Sequence, residues 1–149
     1  MSLTFNLMAM KKEDILNAYA LVNEAKLTKL DDIAKFKVIK ACKVMRPIVT
    51  ELQDFEKDAR EKLKGENHDK IVEVFNEWRK EVKEPNDEQK KAIEYLNEYS
   101  KKVDECLYEE FNKDVEATWE KLSEEELKKF VASNDWNVQQ TISVMGLFE

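Results

Sequence analysis

Lysines, carboxylates, one histidine and two cysteines are the side chains of this sequence that could do chemistry. His68 is the only histidine, so there is little material for a histidine-based metal site or a catalytic triad. Cys42 and Cys106 each fall among apolar residues at helical spacing. We interpret them as small buried side chains, because a zinc site needs more ligands and a disulfide needs an oxidising compartment. We therefore expect no catalytic residue, no cofactor and no metal ion.

A basic segment is the first candidate for binding. Between Ile33 and Thr50 the sequence has no acidic residue, although the net charge of the whole chain is −7. The cations of this segment are Lys35, Lys37, Lys40, Lys43 and Arg46. Lys37, Lys40 and Lys43 are candidates for contacting an acidic protein partner. The alternative is a solvated face that is partly paired with the acidic third and fourth helices of the same chain. We do not expect a nucleic acid partner, because the rest of the acidic surface would repel it.

Carboxylates are concentrated further along the chain. The set comprises Asp104, Glu105, Glu109, Glu110, Asp114, Glu116 and Glu120. A carboxylate pair can act as acid and base when one member is desolvated. Seven carboxylates on one helix, at nearly every offset, instead indicate a solvated face. If this face has a function, we expect it to bind a basic protein surface.

Aromatic and apolar residues supply further candidate contacts. Trp136 lies in a polar turn, where it either locks the last two helices together or anchors a partner. Leu147 and Phe148 follow Gly146, the expected end of the last helix, and form an apolar tail. Leu3, Phe5 and Leu7 form a similar patch at the start, and these apolar ends either dock within the molecule or form an interface.

Glycine and proline are scarce, and their scarcity indicates which secondary-structure elements position these side chains. The 149 residues include only two glycines and two prolines. Phosphate-binding loops and nucleophile elbows depend on glycine, and catalytic groups are concentrated on loops. The scarcity of both residues therefore predicts long helices, few loops and an all-α fold, and it argues against most classes of enzyme.

Apolar spacing predicts the helices. The first begins near Lys12 and fades at 25–27, and the second runs from Asp31 or Asp32 to Gly65. Pro47 lies inside the second and predicts either a kink or two helices end to end, with Arg46 extended. A third helix covers 69–83, and a fourth runs from Asn86 or Asp87 to Leu122. A capping box at 123–126 starts a short fifth helix, and a sixth ends at Gly146. Residues 1–10 are predicted to be an extended arm, and 123–149 a short helical hairpin.

Size and composition set the class of protein. We predict a single all-helical domain over 1–149, an elongated bundle of two long helices and three to four shorter ones. No apolar run approaches the roughly 20 residues of a membrane span, and the start does not read as a signal peptide. A cytoplasmic protein that does not contact membranes is the resulting expectation.

Part of the sequence also resembles that of a known family of proteins. The positions that carry it are Leu16-Asn17-Ala18-Tyr19, Leu27, Leu30, Phe36-Lys37-Val38, Arg46-Pro47, Leu52, Phe55-Glu56-Lys57-Asp58-Ala59-Arg60 and Leu63. Over 12–64 the chain resembles a family of small uncharacterised helical phage and prophage proteins. That resemblance implies a structural or assembly accessory role and supplies no catalytic residue.

These observations favour a non-enzymatic helical protein that acts by self-association or by binding a protein partner, and the resemblance implies an origin in a phage or prophage. The alternative is an acidic regulator or inhibitor that binds a basic protein surface.

Overall fold

The computed structural model describes residues 10–149 and is built almost entirely of helices. Its elements are β1 (Met10–Lys11), α1 (Lys12–Val22), α2 (Asp32–Lys62), α3 (His68–Arg79), α4 (Asp87–Phe111), β2 (Asp114–Val115), α5 (Glu124–Ala132) and α6 (Val138–Phe148). The predicted all-α class, with two long helices and several shorter ones, is confirmed. Apart from Met10, the predicted extended arm and its apolar patch at 3–7 lie outside the described residues.

The chain divides into two compact units, which is a finer division than the single domain that we predicted. Among the described residues, the first unit comprises 10–53 together with Glu110–Glu149, and the second comprises Asp54–Glu109. Both boundaries fall inside helices, so the loops and turn residues on which a sequence-based boundary depends do not mark them.

The first unit contains the main hydrophobic core. Its buried residues are Ile15, Ala18, Tyr19, Val22, Leu30, Ala34, Val38, Ala41, Met45, Val49, Val115, Trp119, Leu122, Leu127, Phe130, Val144, Leu147 and Phe148. Those on α2 recur every three or four residues, so α2 presents one continuous side to the core. At about 25 cal/mol per Å² of apolar surface removed from water, this burial is the main stabilising contribution to the unit.

The helix α2 begins where its sequence predicts and runs on through its proline. The Asp31 carboxylate accepts a hydrogen bond from the Ala34 amide at 2.8 Å and so satisfies one of the unpaired amides of the first turn. Pro47 lies inside a single continuous helix. The alternative of two helices end to end is therefore wrong, as is the expected extended geometry at Arg46. Packing of the α2 side that carries Met45 and Val49 against the core holds the helical path despite the missing amide donor.

The fourth predicted helix is too long by eleven residues, because α4 ends at Phe111. A turn follows at 112–113, and Val115 of β2 pairs with Met10 of β1 in an antiparallel ladder. Trp119 and Leu122 fit a helical seam by spacing, but they are anchored instead to the end of α6. The Trp119 indole N–H donates to the Leu147 carbonyl at 2.7 Å, and the Leu122 amide donates to the Phe148 carbonyl at 3.2 Å. Contacts distant in sequence therefore override the local helical pattern.

The two short helices predicted near the C-terminal end are both present, and each begins with a capping box. Ser123 and Glu126 bond reciprocally at the start of α5, as the sequence predicts. Asn137 and Gln140 do the same at the start of α6. Gly146 does not end α6, which continues to Phe148. Because the helix continues, it carries Leu147 and Phe148 into the core instead of leaving an apolar tail.

The second unit has a much smaller buried set. It comprises Ala59, Ala92, Val103 and Leu107. The helix α3 ends at Arg79, four residues before the predicted end, and none of its residues is buried. The turn before α3 places Asn67 in the left-handed region at φ 61°, and the Gly65 amide donates to the Tyr95 hydroxyl at 2.8 Å. The second unit therefore relies on polar contacts at its turn as well as on its few buried side chains.

Candidate functional site

The side of α2 that faces away from the core carries an exposed row of apolar and basic residues. We call this row the α2 stripe. It comprises Ile33, Phe36, Ile39, Lys40, Lys43 and Val44. At 100° per residue these positions lie across the helix from the buried Val38 and Met45. All six belong to the first unit, whose core fixes the orientation of α2.

Exposure of the apolar members distinguishes the α2 stripe from an ordinary polar helix face. Ile33 is 69% exposed, Phe36 57%, Ile39 49% and Val44 37%. These are four of the eight exposed large hydrophobic side chains within residues 10–149. Single exposed apolar residues are normal on a protein surface, whereas a contiguous group marks a site of interaction.

The three candidate lysines divide between two roles. Lys40 lies over the Phe36 ring, with its ammonium 5.0 Å from the ring centroid, and Lys43 is exposed beside it. This cation–π geometry fixes a positive charge next to the largest apolar member of the stripe. Two of the predicted lysines therefore belong to the α2 stripe.

Lys37 instead forms ion pairs within the first unit. Its ammonium lies 2.8 Å from a Glu126 carboxylate oxygen and 3.6 Å from one of Glu120. The hydrogen bond to Glu126 raises the pKa of Lys37, and the same bond lowers the pKa of Glu126. The structure therefore shows Lys37 paired with acidic residues of the same chain, which is the alternative to contact with a partner.

The other predicted contact residues lie in or against the core. Leu147 is 1% exposed and Phe148 0%, so neither side chain is available to a partner in this conformation. Trp136 is half-buried and packs edge-on against Phe130, with ring centroids 5.2 Å apart and planes at 82°. Of the two roles considered for Trp136, the structure shows the packing role.

The sequence predicts that the acidic set lies on one helix, and this prediction is wrong. Asp114, Glu116 and Glu120 follow the end of α4 and lie in the non-helical segment between α4 and α5. Glu110 forms ion pairs with Lys12 at 2.6 Å and with Lys113 at 2.7 Å. Hydrogen bonds from Lys113 and then Lys12 lower the pKa of Glu110, so this carboxylate is held ionised within the first unit.

The two cysteines and the histidine are the remaining groups with catalytic or metal-binding potential. Cys42 and Cys106 are half-buried free thiols, and burial raises the pKa of Cys42. That change disfavours the reactive thiolate. His68 Nδ1 lies 2.7 Å from the Tyr95 hydroxyl, which also accepts the Gly65 amide. Across residues 10–149, no group of three or more His, Cys, Asp or Glu side chains is placed to hold a metal ion.

Comparison of the chain with models of protein families, with curated proteins and with solved structures finds no match. The resemblance to phage and prophage proteins therefore stays a prediction. In the part of the chain that the structure describes, no helix combines the length and apolar character that crossing a membrane requires.

The acid-free segment predicts the lysines of the α2 stripe but not its apolar members. A signal for them is present, since Ile33, Phe36 and Val44 lie within the acid-free segment at helical offsets of three and eight. They were missed because the core-facing seam of the same helix accounts for most of its apolar content.

Proposed function

We propose that this chain is a helical interaction protein that docks a protein partner on the α2 stripe. The single observation that carries the proposal is the row of exposed apolar side chains from Ile33 to Val44, interleaved with Lys40 and Lys43. Apolar area supplies affinity when it is removed from water, and charges around it supply orientation and specificity. An exposed helix face of this composition fits the helix-mediated mode of recognition between proteins.

The composition of the stripe also defines its partner. Opposite Lys40 and Lys43 a partner gains from carboxylates, and opposite Phe36 and Ile33 it needs apolar side chains. A nucleic acid could bind the lysines, but its phosphates and sugars would then cover the aliphatic side chains without favourable contacts. The net charge of −7 on the chain would also repel it. A protein surface with apolar residues flanked by acids therefore fits best.

An assembly role belongs to this proposal, and the resemblance over 12–64 would place it in a phage or prophage. The alternative, an acidic regulator of a basic protein, has weaker support. Its carboxylates are divided between α4 and the segment after it, and Glu110 already pairs with two lysines.

Site-specific photo-crosslinking tests the proposal. Benzoylphenylalanine replaces Phe36 in the full chain, and a matched variant carries it at Val82, an exposed apolar residue that is not part of α2. We expect irradiation in the source cells to give a discrete protein adduct from position 36 and none from position 82. Adding Lys40→Glu and Lys43→Glu should lower the adduct yield several-fold. The same adducts from both positions, or none from position 36, would count against the proposal.

A further inference from the structure

A second apolar surface lies in the same unit, between α5 and α6. It is a groove of about 640 Å³. Its lining comprises Leu122, Glu124, Leu127, Lys128, Val131, Ala132, Thr141, Met145 and Glu149. Most of the lining is apolar, and the charged side chains are two carboxylates and one ammonium. A groove of this volume is large enough to receive several side chains of a docked helix.

The groove continues onto an exposed row of α6. Val138 is 76% exposed and Ile142 is 57% exposed. By helical periodicity both share a face with Thr141 and Met145, which line the groove. We call the groove together with Val138 and Ile142 the α6 groove. From Val138 to Glu149 it extends for about 16 Å at 1.5 Å per residue.

The α2 stripe matches the α6 groove in length and in pattern. From Ile33 to Val44 the stripe also extends for about 16 Å of helix. Its apolar members recur along that length, as an amphipathic helix in a groove requires. The two surfaces together carry six of the eight exposed large hydrophobic side chains within residues 10–149.

Charge also favours this pairing. The α6 groove carries Glu124 and Glu149 against one ammonium, Lys128, which lies 3.5 Å from the Glu124 carboxylate. The α2 stripe brings Lys40 and Lys43, and the sequence has no acid from Ile33 to Thr50. Asp32 and Glu120 line the same surface beside Ile33, and Glu120 lies 3.6 Å from the Lys37 ammonium, which offsets its charge. A two-fold pairing of two α2 stripes would instead oppose like charges, which disfavours it.

We infer that the partner of the α2 stripe is a second copy of this chain, which receives it in the α6 groove. The inference rests on the proposed role of the α2 stripe and names its occupant. Because the contact joins two different surfaces, one copy of a docked pair keeps its groove unused and the other keeps its stripe unused. Repetition of such a contact gives a closed ring or an open chain of copies.

Mixing two single-surface variants tests this inference. Phe36→Asp disables the stripe, and Ile142→Asp disables the groove at a residue of the same 57% exposure. Light scattering at rising concentration should show assemblies for the wild type and for Val82→Asp, the matched control. Each single-surface variant should stay monomeric, with an unchanged circular dichroism spectrum. An equimolar mixture of the two should form a one-to-one dimer, because one intact stripe then meets one intact groove.

Three results would overturn the inference. A wild type that is monomeric at several hundred micromolar removes the second copy as the occupant. Single-surface variants that assemble like the wild type show that neither surface is used. If the wild type assembles but the mixture stays monomeric, the stripe and the groove are not partners. In each case, an adduct with a different protein from position 36 would leave the proposed function standing.

Discussion

At the scale of single residues, two phenylalanines of the first unit have opposite environments. Phe130 is fully buried and packs edge-on against both Trp136 and Phe148, whereas Phe36 is 57% exposed on the α2 stripe. Burial rather than residue type therefore separates side chains that stabilise the fold from side chains that are available to a partner.

This contrast predicts different costs for the same substitution. Phe130→Ala should lower the free energy of unfolding by about 3–5 kcal/mol, because it leaves a cavity in the core. Phe36→Ala should change that free energy by no more than about 0.5 kcal/mol, because the side chain is largely solvated. Urea unfolding followed by circular dichroism measures both. Equal losses would show that Phe36 is part of the core and would remove the basis for the α2 stripe.

The ion pair between Lys37 and Glu126 predicts a dependence of stability on pH. In the folded chain the pKa of Glu126 lies below its usual value, which is about 4.3 for a free glutamate. Its contribution is therefore present above that value and is lost as the pH falls towards the lower folded pKa. Glu126→Gln keeps an acceptor for the Ser123 amide but removes the charge.

Below about pH 4.3 the wild type should accordingly lose stability more steeply than the Glu126→Gln variant does. Glu125→Gln, an exposed replacement on the same turn, controls for the loss of one negative charge. Urea midpoints measured from pH 7 to pH 3 provide the comparison. Parallel profiles for the wild type and Glu126→Gln would show that the ion pair does not form in solution.

At the scale of elements, α2 is the helix on which both the core and the candidate site depend. Its buried side contributes Val38 and Met45 to the core, and its exposed side forms the α2 stripe. Pro47 interrupts the hydrogen bonding of this helix, because it has no amide to donate to the Lys43 carbonyl. The core contacts on both sides of Pro47 therefore keep α2 helical, although the missing hydrogen bond lowers the stability of the helix.

Removing that proline should stabilise the protein. Alanine restores the amide and is about 3 kcal/mol more favourable than proline inside a helix, while the unfolded chain regains about 0.4–1 kcal/mol of freedom. We expect Pro47→Ala to raise the free energy of unfolding by about 2 kcal/mol in urea titrations. Gln53→Ala, an exposed replacement in α2, should change it by less than about 0.5 kcal/mol. A loss of stability in Pro47→Ala would mean that the core requires a distorted helix at this point.

At the scale of the whole chain, the two units differ in how much they bury. The main core lies in the first unit, while the second unit buries four hydrophobic side chains. The helix α3 has no buried residue, whereas α6, of similar length, buries Val144, Leu147 and Phe148. Helices that contribute little to a core open more readily than helices that contribute much.

Hydrogen exchange should reveal this difference directly. In the intact chain we expect amides of α3 to exchange at least tenfold faster than amides of α6 when exchange is read by peptide mass spectrometry. Slower exchange in α3 than in α6 would contradict the burial described for these helices. The peptide of α4, which buries three residues, should fall between them.

The sequence predicts much of this architecture because most of its helices have local signals. Ser123 caps its helix as predicted, and Asp31 and Asn86 are each one of the two caps that the sequence predicts for their helices. The segment after α4 could not be predicted in this way. Val115, Ala117 and Trp119 alternate with exposed residues as in a strand, yet Val115, Trp119 and Leu122 also fit a helix. Pairing with β1 and bonding to the end of α6 decide between these patterns, and neither contact is local.

The candidate site was also predictable only in part, because some of its contacts are distant in sequence. The absence of acids from Ile33 to Thr50 identified Lys40 and Lys43, but an ion pair distant in sequence engages Lys37. The apolar members of the stripe could be separated from the core seam only once the direction of the core was known. Leu147 and Phe148 were misplaced because Gly146 is a weak stop signal when the following residues gain by burial.

Side-chain footprinting tests most directly whether the α2 stripe is a docking surface. A photoactivated carbene labels exposed side chains of the full chain, first in dilute purified solution and then in an extract of the source cells. We predict at least a twofold loss of labelling from Ile33 to Val44 in the extract, with unchanged labelling at Val82. Equal labelling of the α2 stripe in both states would contradict the account.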